Sequence, residues 1–111
     1  MEMTFGKAHD IWGRAVSGDG TLSEDDVKDA AKWFYDFIDK LNEKASQSKQ
    51  DLDDAVERHE DDAVIEKKRK AAESDMRQVD DFIKKYDDLI AWLILLMTKK
   101  GEALLAYWKS L

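Results

Sequence analysis

The sequence predicts an all-α fold: a helical bundle built on a long antiparallel, coiled-coil-like helical hairpin, with short N- and C-terminal helices packed at its base. Three observations lead there. Between Asp26 and Lys100 there is no glycine or proline, the two residues that most disfavour a helix interior. Over that stretch apolar residues recur at alternating gaps of four and three, the signature of a helical seam. Near its end Leu89–Met97 is the longest unbroken apolar run, a segment that must find cover.

The elements read in order as one helical domain over residues 1–111. A first short helix spans about 4–17, with Thr4 as N-cap and Phe5, Ala8, Ile11, Trp12, Ala15 and Val16 on one stripe. Gly6 and Gly13 weaken it, so tertiary packing must hold it. Ser17-Gly18-Asp19-Gly20 is a turn, and Ser23 caps the next helix, whose first turn carries Glu24, Asp25 and Asp26 at the positive end of the dipole. Long helices fill about 23–100. Their first seam is Val27, Ala31, Phe34, Ile38, Leu41, Ala45, Ser48, Leu52, Ala55 and His59; the second is Ala72, Met76, Val79, Ile83, Tyr86, Ile90, Leu93 and Met97. The two are out of phase, so the chain breaks near 46–50 or 60–64, one unbroken helix being the third arrangement. The later break makes a hairpin that sets an acidic arm beside Lys67, Lys68, Arg69 and Lys70, and this complementarity favours it. Lys99-Lys100-Gly101 has the form of a helix stop, leaving a short helix at about 102–110 that either folds back over Trp92 and Leu95, the favoured arrangement, or points away and leaves Trp92, Leu95, Tyr107 and Trp108 as an exposed patch.

Composition narrows the function classes. With 39% charged and 43% apolar residues the chain has enough apolar material for a core. A net charge of -7 disfavours direct nucleic-acid binding, which needs clustered Lys and Arg. The absence of cysteine excludes disulfides and thiolate metal sites. The start of the sequence has no charged-then-apolar leader, and Leu89–Met97 falls short of the ~20 apolar residues of a membrane span, so a cytoplasmic location is the default expectation.

Motifs for chemistry are scarce. Aligning Gly20 with the obligatory glycine of an EF-hand loop puts Asp19 at its fifth position and Asp26 at its twelfth, but Ala15 stands where the first carboxylate is needed. A turn followed by an N-cap is the better reading. His9 and His59 are the two histidines, and neither belongs to a helical metal-ligand pair; His59 reads as a polar member of the seam. No nucleophile elbow, phosphate loop or dinucleotide fingerprint occurs, so neither an enzyme, a metal nor a cofactor is expected. The helical hairpins of the WXG secretion family need a Trp-x-Gly turn, whereas Trp12 and Gly13 are adjacent.

The expected function is therefore a non-enzymatic protein–protein interaction or self-assembly module working through apolar helix faces, its partner another protein or a second copy. The candidate interaction residues are Trp92, Leu95, Leu96, Leu104, Tyr107 and Trp108. A second candidate surface is the acidic face of Asp53, Asp54, Glu57, Asp61 and Asp62, which reads as a solvated face or a mimic of nucleic-acid phosphates. Other readings are a coiled-coil component of a bacterial secretion machine or phage, a designed or orphan bundle, and a small-molecule pocket lined by Trp12, Trp33 and Trp92.

Overall fold

Helix caps set the boundaries. In the computed structural model, which describes residues 2–111, they delimit three helices: α1 (Phe5–Val16), α2 (Glu24–Glu57) and α3 (Asp62–Ser110). Thr4 caps α1, its hydroxyl accepting from the Lys7 N–H at 3.2 Å. Gly18 ends it: at φ 80° it turns the chain so that its own N–H reaches the Ala15 carbonyl (3.3 Å) and that of Asp19 reaches Arg14 (3.0 Å). Ser23 caps α2 through the Asp26 N–H at 3.1 Å, as its sequence position predicts.

The break between the long helices lies at 58–61; α2 runs unbroken through the other predicted place, 46–50. His59 is the pivot, with φ 54°. Its N–H donates to the Val56 carbonyl (3.2 Å) and that of Glu60 to Ala55 (3.1 Å), so two orphan carbonyls of α2 are satisfied. This corrects the reading of His59 as a seam residue: it occupies the position where glycine is usual. Asp61 then starts α3, its carbonyl accepting from Val64 (2.9 Å) and Ile65 (3.0 Å).

Packing divides the chain into two units, one joining the segment up to Trp33 to Lys85–Leu111, the other formed by Phe34–Lys84. The second is the antiparallel hairpin. Phe34, Ile38, Leu41, Ala45 and Ala55 of α2 are buried there, as are Ala72, Val79 and Phe82 of α3. Phe82 stands edge-on to Phe34 (5.9 Å between centroids) and stacks on Phe37 (5.1 Å). One layer of this seam is polar: the Ser48 hydroxyl donates to the Asp75 carboxylate, which Lys44 also approaches at 3.6 Å. Near the reversal Lys68 reaches Glu60 at 3.3 Å, whereas Arg69 turns to Glu66 on its own helix.

In the other unit, Ala8 and Ile11 of α1, Leu22, Val27, Ala30 and Ala31, and Leu89 of α3 are buried. Trp12 donates its indole N–H to Asp88 at 3.0 Å, tying α1 to α3. Two expectations fail along α3. Burial follows Ala72, Val79, Phe82 and Leu89, while Met76, Ile83 and Met97 of the predicted seam are exposed. Gly101 is not a stop either, because α3 continues to Ser110 and no separate C-terminal helix folds back. Glu102, Ala103, Leu104, Leu105 and Ala106 are good helix formers, and they outweigh the ~1 kcal/mol that a lone interior glycine costs.

Candidate interaction surface

The predicted residues separate into two groups on α3. Trp92, Leu95 and Leu96 line a cleft of about 600 Å³ with Ala15, Leu22 and the turn residues Gly18, Asp19 and Gly20. Trp92 and Leu96 are half-buried there, and Leu95 is exposed. What adjoins Trp92 is thus the α1–α2 turn, not a returning C-terminal helix.

The turn is firmly built. The Asp19 carboxylate accepts from the Thr21 N–H (2.8 Å), the Thr21 hydroxyl (2.6 Å) and the Arg14 guanidinium (2.8 Å). The Thr21 hydroxyl, then Arg14 and the Thr21 N–H, hold this carboxyl far below the ordinary carboxylate range. Both of its oxygens are engaged, so the one well-placed acid of the EF-hand-like stretch serves the turn. Opposite, Glu24 accepts from Lys100 at 2.9 Å, and that ammonium followed by the charge of Lys28 lowers its pKa.

The second group is Leu104, Tyr107 and Trp108. Since α2 begins at Glu24, level with Lys100, α3 runs on past the first residue of α2. Residues 101–110 add about 15 Å of helix at 1.5 Å per residue. Every residue from Met97 to Leu111 is exposed. Ile94, Met97, Leu104, Leu105, Tyr107, Trp108 and Leu111 are each more than half accessible, and Trp108 reaches 63%. Beside them stand Lys99, Lys100 and Lys109 against the single acid Glu102.

A third cluster was not legible as a site. His9 stacks on Phe5 at 4.1 Å, with Trp33 edge-on to both rings. Its Nδ1 lies 2.9 Å from the Phe5 carbonyl and its Nε2 lies 3.2 Å from the Lys85 ammonium, which also sits 5.2 Å from the Trp12 ring centre. A carbonyl only accepts and an ammonium only donates, so both contacts are hydrogen bonds when the ring carries its proton on Nδ1 and accepts at Nε2. Phe5 and His9 at i and i+4 were the available sequence signal; Lys85 was beyond reach. The predicted tryptophan pocket does not form as one site, because Trp33 belongs to this cluster and Trp92 to the cleft.

On the acidic face Asp53, Glu57, Asp61 and Asp62 are exposed, and Asp54 accepts from Gln50 at 2.9 Å. Among the described residues no group of three or more potential ligands is placed to hold a metal ion, and no helix is long and apolar enough to cross a membrane. Compared with protein-family models, curated proteins and solved structures, the chain shows no match.

Proposed function

We propose that this chain is a non-enzymatic helical protein–protein interaction module that works through the exposed apolar face of α3 between Ile94 and Leu111. The observation that carries the reading is the accessibility of eight large apolar side chains along that stretch, Leu95 among them, each more than half exposed. Leu104, Trp108 and Leu111 follow the spacing by which a helix offers anchors to a hydrophobic groove or a neighbouring helix. A partner that covers them removes apolar area from water without burying any charge, because the lysines beside the face keep their ammonium groups solvated.

The double substitution Leu104→Glu with Trp108→Glu tests it. These side chains bury little within the chain, so the helical circular dichroism is unchanged and the unfolding free energy stays within about 0.5 kcal/mol of the parent. Partner binding, read as adducts from a photo-crosslinking residue at Leu105 in cells that make the protein, disappears. Loss of folding in the double variant would show that the face is core, and absence of any adduct in the parent would refute the interaction reading.

A further inference from the structure

The apolar face of α3 has a repeat of its own. Ile94, Met97, Gly101, Leu104, Trp108 and Leu111 are separated by three, four, three, four and three residues, which places them on one stripe about 26 Å long. Five of these are large and more than half exposed, and the sixth is a glycine whose missing Cβ faces open space. A stripe with one gap and one oversized residue restricts what can lie against it.

We propose that its occupant is a second copy of the same stripe, the two α3 ends packing antiparallel about a two-fold axis between Gly101 and Leu104. This rests on the interaction reading above and names its partner. With Met97 opposite Trp108 of the second copy, Gly101 meets Leu104 and Ile94 meets Leu111. The gap at Gly101 receives a leucine, and the indole lies on the flexible thioether of methionine, a favourable sulfur–aromatic contact. The alternatives pack worse. A parallel pair sets Gly101 against Gly101 and Trp108 against Trp108, leaving a void in one layer and two indoles in another. An antiparallel pair shifted by one heptad sets Lys100 against Lys100, a like-charge contact.

The contact is small: the stripe offers five large side chains, each more than half exposed, and a single-helix contact of that size falls at or below the ~1,200 Å² lower limit of stable interfaces, so the dimer forms reversibly with concentration. A two-fold axis is also the commonest symmetry by which one surface satisfies itself.

The chain has no cysteine, so single introduced thiols report the arrangement cleanly. Sedimentation equilibrium from micromolar to millimolar chain is expected to show a monomer–dimer equilibrium, weakened at least about tenfold by Trp108→Glu. Gly101→Ile is expected to raise helix stability and weaken the dimer together, because the new side chain fills the space Leu104 needs; an unchanged dimer overturns the proposal. Met97→Cys mixed with Trp108→Cys is expected to form the crossed disulfide under mild oxidation, and Met97→Cys alone is not. Equal linkage of Met97→Cys with itself overturns the antiparallel pair. A monomer at every concentration overturns self-pairing. Photo-adducts at Leu105 then separate the two readings: adducts of mass other than twice the chain leave the interaction module standing without the dimer, and none at all refutes both.

Discussion

His59 ends α2 in a backbone conformation that costs L-residues energy, and replacing it by glycine should stabilise the fold. At φ 54° its Cβ crowds the following carbonyl, a strain of about 1–2 kcal/mol relative to the right-handed region. Glycine has no Cβ to clash, but it returns about 0.5–1 kcal/mol through the greater freedom of the unfolded chain. His59→Gly should therefore gain about 0.5–1 kcal/mol, raising the thermal midpoint by about 4 °C in a chain of this size. His59→Val has the opposite sign, since a branched Cβ is the worst choice in the left-handed region, and should lose 1 kcal/mol or about that. The exposed imidazole makes this a backbone experiment rather than a packing one. Urea unfolding of both variants, read at a common slope, measures the difference of about 2 kcal/mol. Equal stabilities would refute the assignment of His59 as the pivot, because a residue of ordinary helical φ tolerates valine better than glycine.

Other consequences follow from single contacts. Asp19 is more acidic in the folded than in the unfolded chain, so its contribution is present above the unfolded pKa of about 3.9 and fades as pH falls below it. The excess in melting temperature of the parent over Asp19→Asn should thus be constant near neutrality and shrink on acidification; a gap that widens in acid would contradict the sign. Ser48→Ala removes a hydroxyl donor from Asp75, whose side chain is only 13% exposed, and should cost about 1–2 kcal/mol in urea unfolding. Changing both, Ser48→Val with Asp75→Leu, should recover most of that loss, since no polar group is then left unpaired. His9 should give the nitrogen shifts of the Nδ1–H tautomer in NMR at neutral pH; the Nε2–H pattern would mean that Lys85 does not donate to the ring.

Helix ends explain both what the sequence revealed and what it concealed. Three positions terminate or appear to terminate a helix, and glycine marks only two of them. At Gly18 it served well, because a left-handed residue was needed and the neighbours were turn formers. At His59 the same geometry is present without the glycine, so composition placed the break only to within a choice of two segments. At Gly101 the glycine is present without the geometry: the helix formers after it, with no left-handed turn, carry α3 through. The seam of α3 was ambiguous for a related reason. Phe82 and Ile83, Leu89 and Ile90, and Leu96 and Met97 are adjacent apolar pairs, so two heptad stripes fit one residue apart. Periodicity cannot choose between such stripes, but burial does. Phe82 and Leu89 are buried while Ile83 and Met97 stay out, and the Asp75 side of the stripe is taken because Ser48 and Lys44 meet its carboxylate. The doubling of apolar positions is what leaves a helix that has filled its own core with a second apolar stripe. Past Lys100 neither stripe is covered, and it is there that a second chain has most to gain by packing.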